Sequence, residues 1–141
     1  MTERNNLFEL IDRGSDLMVR ARGSSFQDTL LNLVEGILDT VCDIDSVQVK
    51  ETRKIFCRAP DPGRLVVRVC NELIYLMDSE KLVFRGAEVK LREVAGTLEC
   101  EVVLTGEHVD PARHGLKAYL KGASYGGLVV KPDTVEMVID V

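Results

Sequence analysis

Carboxylate groups near the two ends of the sequence are the residues with the clearest capacity for chemistry. An apolar, alternating stretch from Val135 ends on Asp140 and Val141, so a strand would stop with an aspartate beside the α-carboxylate. Asp16 is the candidate for a third carboxylate. Carboxylate oxygens are hard ligands that suit Ca²⁺, Mg²⁺ or Mn²⁺. These residues predict a divalent-cation site; the alternative is that Asp140 only marks the solvent face of an alternating strand.

Lys121 is a candidate cation near this site, because the segment around it, residues 116–125, is otherwise mostly apolar or small. Its ammonium group could lie beside the carboxylates or bind a phosphate as a point charge. The alternative is a strand lysine that faces solvent.

Groups for covalent or acid–base catalysis are scarce. The two histidines, His108 and His114, both fall in residues 105–114, which the sequence predicts to be a loop. No nucleophile-elbow, phosphate-loop or zinc-protease motif is present. A hydrolase of these types is therefore not expected, and His114 is interpreted as a hydrogen-bond partner within a loop.

The elements that must position these residues follow from hydrophobic periodicity. Turn formers at 13–16 separate two short strand-like runs and place Asp16 in a loop or at a strand start. A capping box at Ser25 predicts the first helix, and Asp61 followed by Pro62 predicts the second. The predicted ranges are strands at 7–12 and 17–22, a helix from 26 to 41, a strand or hairpin over 47–58, a helix through 65–77, a hairpin of 82–94 with 97–104, a strand within 115–130 and a last strand after 133.

This order of elements indicates one α+β domain over residues 1–141. It is neither a βαβ series nor an all-β pattern, so we expect a two-layer arrangement, with a mixed or antiparallel sheet and the two main helices packed on one face. The length suits one hydrophobic core.

Composition excludes several classes of function. A formal charge of -5 argues against strong direct binding to nucleic acid, and 5% aromatic residues without tryptophan argue against a base-stacking platform. No apolar run approaches the ~20 residues that span a bilayer. The polar residues 1–6 predict a cytoplasmic protein, and four well-separated cysteines are expected to be reduced core thiols.

Six blocks of this sequence together resemble the archease family over nearly the whole chain. The first matches a family run of the type Asp-His-Thr-Ala-Asp, and the fifth matches one of the type Lys-Ala-Val-Thr-Tyr-His-Gly-Leu. The blocks are Asp12-Arg-Gly-Ser-Asp16, Val69-Cys-Asn-Glu-Leu-Ile-Tyr-Leu76, Leu82-Val-Phe84, Asp110-Pro-Ala-Arg-His114, Lys121-Gly-Ala-Ser-Tyr-Gly-Gly-Leu128 and the ending Val138-Ile-Asp-Val141.

The resemblance implies an accessory factor of the GTP-dependent RNA ligase that joins tRNA exon halves, one that promotes guanylylation of the ligase and its multiple turnover. It implies metal ligation, with calcium as the first candidate, by Asp16, Asp140 and the carboxylate of Val141, with Lys121 beside them facing the partner. The sequence departs from the family where Arg13 and Gly126 replace histidines. Arginine does not ligate metals and is always charged.

Two other functions are compatible with the same residues. One is a small metal-dependent hydrolase that uses these carboxylates, although no general base is evident beside them. The other is a chaperone-like binding module without a metal, in which Asp140 and Val141 simply end a strand.

Overall fold

The computed structural model describes residues 7–141, and the polar residues 1–6 that suggest a cytoplasmic protein lie outside this range. Strands and helices alternate in an irregular order along the chain. They are β1 (Phe8–Asp12), β2 (Asp16–Arg22), α1 (Phe26–Val41), a 3-10 helix (Ile44–Ser46), β3 (Glu51–Ala59), α2 (Pro62–Glu80), β4 (Leu82–Val94), β5 (Thr97–His108), α3 (Pro111–His114), β6 (Gly122–Lys131) and β7 (Thr134–Asp140).

Both long helices begin at the predicted capping residues. The Ser25 hydroxyl accepts a hydrogen bond from the backbone N–H of Asp28 at 3.1 Å, and the Asp61 carboxylate accepts one from the N–H of Arg64 at 2.9 Å. These bonds satisfy N–H groups that the first turn of a helix leaves without partners. Pro62 follows Asp61 in the first turn, where its missing N–H costs nothing.

The strands form two antiparallel sheets, in the orders β1-β2-β7-β6 and β3-β5-β4. The predicted α+β class is confirmed. Every strand pairing in residues 7–141 is antiparallel, and the strands divide between two sheets where one was expected. Helix α1 packs on β1, β2 and β7 of the first sheet and on β4 of the second, while α2 contacts β3, β4 and β5 together with β6. Each helix therefore covers part of both sheets.

Burial alternates along β2 and defines the two faces of the four-stranded sheet. Val19 and Ala21 are fully buried, and a Cβ atom added to Gly36 of α1 would lie 2.9 Å from Val19 Cγ1. The glycine thus lets the helix approach this face closely. Asp16 and Arg20 lie on the opposite face because successive side chains of a strand alternate.

One local prediction changes in the structure, and one open alternative is decided. Residues 51–59 form a single strand, which is one of the two alternatives for 47–58. The predicted loop at 105–114 is wrong, because β5 continues to His108 and α3 follows it. The strand continues because β4 pairs with β5 as far as Leu82 opposite His108, so ladder hydrogen bonds outweigh the polar character of the segment.

The cysteines and the helices agree with the remaining expectations from composition. Cys42, Cys57, Cys70 and Cys100 are buried and free. Burial raises the pKa of Cys57 to about 11 and that of Cys100 to about 12, which keeps these thiols protonated and unreactive. In residues 7–141 no helix is both long and apolar enough to cross a bilayer.

Candidate functional site

Asp16 and Asp140 lie directly opposite each other at one end of the four-stranded sheet. Asp16 is the first residue of β2, Asp140 is the last of β7, and their Cα atoms are partners in the antiparallel register. Directly opposed residues carry their side chains on the same face, with Cβ atoms about 5 Å apart. Two like charges in this arrangement repel each other, so this pair lowers the stability of the sheet.

Val141 and Lys121 lie next to this pair along the backbone. The Val141 side chain is half-buried and packs against the core, which anchors the last residue. The backbone N–H of Lys121 donates to the Asp140 carbonyl at 2.8 Å, one residue before β6 begins. Lys121 is exposed, so its ammonium group is accessible to a second molecule. We call Asp16, Asp140 and Val141 the acidic sheet end.

Arg13 forms an ion pair with Asp16. Its Nε donates to Oδ1 at 2.7 Å, and its Nη2 donates to Oδ2 at 3.2 Å, so both carboxylate oxygens are occupied. These hydrogen bonds and the guanidinium charge lower the pKa of Asp16 below its ordinary value. Asp16 is therefore firmly ionised and already has a cation as a partner.

Asp140 differs from Asp16, because its side chain has neither a hydrogen bond nor an ion pair with any residue in the range 7–141. It is also exposed. Of the two aspartates, Asp140 is therefore the one whose carboxylate is free to bind a ligand.

The acidic sheet end has the donor chemistry of a divalent-cation site, but it is incomplete as a set of side chains. Its oxygens are hard ligands. Within residues 7–141, however, no group of three or more His, Cys, Asp or Glu side chains is placed to hold a metal ion. A cation here would need the Val141 α-carboxylate as its third protein ligand and further oxygens from water or a partner. With those additional oxygen ligands, the donor set suits a divalent cation.

A second polar cluster, which the sequence did not suggest, surrounds Glu107 near the end of β5. Arg113 donates to both Glu107 oxygens at 2.8 Å, and the backbone N–H of Gln48 donates at 2.7 Å. His114 Nε2 lies 2.9 Å from Glu107 Oε2. These hydrogen bonds hold the pKa of Glu107 well below its ordinary range, and the bonds from Arg113 have the largest effect. We call Glu107, Arg113, His114 and the Gln48 N–H the Glu107 cluster.

The ring of His114 has a defined orientation in this cluster. The backbone N–H of Asp110 donates to its Nδ1 at 2.9 Å, so the ring proton belongs on Nε2, where it is donated to Glu107. His114 is 2% exposed and is held on both sides. The expectation of a hydrogen-bonding histidine is confirmed, although it lies in a helical turn. No signal in the sequence marks the cluster, because the apolar alternation of β5 runs through Cys100, Val102 and Leu104, and Glu107 falls on the other face of that pattern.

An apolar cleft of about 600 Å³ lies beside the end of α2. Residues 116–120 form one wall, and the backbone N–H of Lys117 donates to the Val41 carbonyl at 2.7 Å, which fixes that wall. Leu116 and Tyr119 on it are 47% and 64% exposed. Periodicity did not predict this cleft, because irregular segments carry no repeating pattern.

The sequence model of the Archease protein family (MTH1598/TM1083) matches residues 8–141. The chain belongs to the archease family. It is 25% identical over 124 residues to "Protein archease" of Pyrococcus abyssi, a match that covers 88% of this chain and 87% of that protein. It is 28% identical to "Protein archease" of Aeropyrum pernix over 133 residues, with 90% and 92% of the two chains covered.

A solved structure shares the fold. The solution structure of Methanobacterium thermoautotrophicum protein 1598 superposes with a TM-score of 0.81 and 18% identity, covering 96% of this chain and 99% of that one. The two sheets and the helices that contact them both are thus an archease architecture. The match to the family reaches Val141, so it includes the acidic sheet end.

Proposed function

We propose that this protein is a non-enzymatic accessory factor of the GTP-dependent tRNA-splicing RNA ligase, working in the cytoplasm and promoting guanylylation and multiple turnover of the ligase. Membership of the archease family supports the ligase as the partner. The observation that carries the proposal to specific residues is the register that sets Asp16 opposite Asp140 beside the terminal Val141.

In this proposal the acidic sheet end binds a divalent cation, Ca²⁺ first and Mg²⁺ or Mn²⁺ as alternatives. Asp16, Asp140 and the Val141 α-carboxylate would hold it, and the ion would offset the repulsion among three carboxylates while leaving positions for water or a group of the ligase. Lys121 would offer its exposed ammonium to an anionic group of the partner. In this proposal the chain supplies the metal ligands and positions the cation against the ligase, and the chemistry takes place on the ligase.

Ligation of tRNA halves by the RNA ligase of the same cell tests this function. The reaction contains GTP, a divalent cation and limiting ligase, with and without a stoichiometric amount of this protein. We expect the number of turnovers to rise with wild type and the rise to be lost with Asp16→Asn or Asp140→Asn. Glu136→Gln is the matched control, because it removes one negative charge from β7 on the same face, where Glu136 pairs with Arg20.

The role of Val141 is tested by extending the chain. A C-terminal tag converts the α-carboxylate into a neutral amide, so cation affinity measured by calorimetry should fall by about tenfold, while the same tag at the N-terminus should leave it unchanged. Equal affinities would remove Val141 from the ligand set. A wild-type protein that leaves ligase turnover unchanged would end the accessory-factor proposal itself.

The apolar cleft supports a second candidate function, a binding module that works without a metal. Leu116 and Tyr119 offer exposed apolar surface to a partner at one wall of this cleft. This function predicts that Tyr119→Ser weakens binding of the ligase while Asp16→Asn does not. The cation-dependent proposal predicts the reverse order of effects.

A further inference from the structure

Arg13 already holds the carboxylate that the proposed cation requires. We infer that Arg13 is an intramolecular competitor of the divalent cation: its guanidinium group occupies Asp16 when the cation is absent, must leave when the cation binds, and lowers the cation affinity of the acidic sheet end. This inference rests on the proposed cation site, and it concerns how that site is regulated in this particular chain.

The local backbone fixes Arg13 in this position. Residues 13–15 connect β1 to β2 in a tight turn, and the backbone N–H of Arg13 donates to the Asp16 carbonyl at 3.0 Å across it. Gly14 takes a φ of +90°, which suits the first position of a tight hairpin turn, and its N–H donates to Asp12 Oδ1 at 2.9 Å. The turn therefore brings the Arg13 side chain to Asp16 on the same face as Asp140.

The bidentate pair on Asp16 sets the guanidinium group and a divalent cation in competition for one carboxylate. The guanidinium fork uses Oδ1 and Oδ2 together, whereas a Ca²⁺ ion ligated by Asp16 needs at least one of these oxygens at about 2.4 Å. A guanidinium group on the second oxygen would then lie within a few ångströms of a doubly charged ion, which Coulomb repulsion opposes. Cation binding therefore opposes the bidentate pair, and the pair opposes cation binding.

The cost of this displacement is modest, because the pair is open to water. The side chains of Arg13 and Asp16 are 41% and 27% exposed, and exposed ion pairs are weak in water. Removing the guanidinium group should therefore tighten cation binding by about fivefold, not by orders of magnitude. Arg13 would thus raise the cation concentration at which the acidic sheet end fills, without closing the site.

Arg20 provides a matched control on the same sheet. Its Nε donates to Glu136 Oε2 at 2.8 Å, and Arg20 lies opposite Glu136 on the face that carries Asp16 and Asp140. It is four residues along β2 from Asp16, about 13 Å at the usual rise of a strand. Substitution of Arg20 removes the same positive charge as substitution of Arg13, but at a distance from Asp16 that exceeds the screening length of physiological salt, about 8 Å.

Calorimetric titration of the full chain with Ca²⁺ tests the inference on wild type, Arg13→Gln and Arg20→Gln. We expect Arg13→Gln to bind about fivefold more tightly than wild type and Arg20→Gln to equal wild type. Equal affinities in all three proteins would overturn the competition while leaving the cation site intact. Equal tightening in both variants would also overturn it, since net charge would then be the cause. Absence of binding in all three would overturn both the competition and the cation site.

A second measurement needs no substitution. In the ¹⁵N–¹H spectrum of wild type, the Nε–H signal of Arg13 should shift as Ca²⁺ is added, because the guanidinium group leaves Asp16, and the Nε–H signal of Arg20 should stay in place. A static Arg13 signal at saturating Ca²⁺ would overturn the inference even if Arg13→Gln does not fold.

Discussion

The Glu107 cluster and the acidic sheet end both contain carboxylates, and they differ in how these carboxylates are satisfied. Glu107 is buried and accepts hydrogen bonds from Arg113, His114 and the Gln48 backbone. Asp16 is half-exposed and pairs only with Arg13 through its side chain, while the Asp140 side chain has no partner among residues 7–141. In the Glu107 cluster, several hydrogen-bond donors surround one carboxylate. In the acidic sheet end, a single guanidinium group faces two aspartates, so negative charge is in excess.

This difference separates a structural role from a binding role. A buried charge is tolerated only when it is paired and fully hydrogen-bonded, and removing one partner then leaves the other uncompensated. Opposed carboxylates at a strand end reduce stability, and natural proteins accept such a cost where a ligand or partner is to be bound. We therefore expect substitutions in the Glu107 cluster to change stability and substitutions in the acidic sheet end to change binding.

The largest effect is expected for His114→Ala. The change leaves Glu107 and the Asp110 N–H each without one partner and opens a cavity at a residue that is 2% exposed. We expect the free energy of unfolding to fall by about 2–4 kcal/mol, measured by urea denaturation. His108→Ala is the control, since 59% of that side chain is exposed, and it should change stability by less than about 0.5 kcal/mol. Similar losses from both variants would mean that the cluster is not structural.

The second prediction concerns pH. Folding lowers the pKa of Glu107 from its ordinary value of 4.5, so the folded state favours the ionised carboxylate. Its contribution to stability is therefore complete above about pH 5 and is lost as the pH falls below the ordinary value toward the lower folded value. The difference in unfolding free energy between wild type and Glu107→Gln should shrink when urea denaturation is repeated at about pH 3.

Glu101→Gln serves as the control for the pH series, because Glu101 lies on the same strand and forms no ion pair with another residue of the described range. Its difference from wild type should be small at every pH. A Glu107→Gln difference that stays constant from neutral to acidic pH would show that the ionised form of Glu107 is not what the fold favours.

The contrast between the two regions also marks what could be predicted from the sequence. Local signals located the two long helices correctly, because Ser25 and Asp61 cap them through residues only three positions away. The hairpin turn at Ala95 and Gly96 is equally local, and both residues have positive φ values. The division of the strands into two sheets depends on pairing between distant parts of the chain, such as β2 with β7, and no short pattern encodes it.

Side-chain pairing was the hardest feature to predict. The sequence pointed to Asp16, Asp140 and the α-carboxylate of Val141, and the family resemblance implied the same three groups. Neither indicated that Arg13 would bind both oxygens of Asp16. That pair depends on a tight turn placing residues i and i+3 on one face. The Glu107 cluster needed the extension of β5 and the turn of α3 to be known first, since Arg113 and His114 reach Glu107 only from that helix.

The smallest effect is expected for Asp140→Asn, and its sign is the reverse of that of His114→Ala. The change removes the like-charge repulsion between directly opposed Asp16 and Asp140, so in the presence of EDTA the protein should gain about 0.2–1 kcal/mol in urea denaturation. With excess Ca²⁺, wild type should gain stability through linkage to cation binding, and Asp140→Asn should gain less. Glu136→Gln should not gain in EDTA, because Glu136 is paired with Arg20. A loss of stability for Asp140→Asn in EDTA would mean that Asp140 is a structural carboxylate like Glu107, and the proposed division between the two regions would fail at that residue.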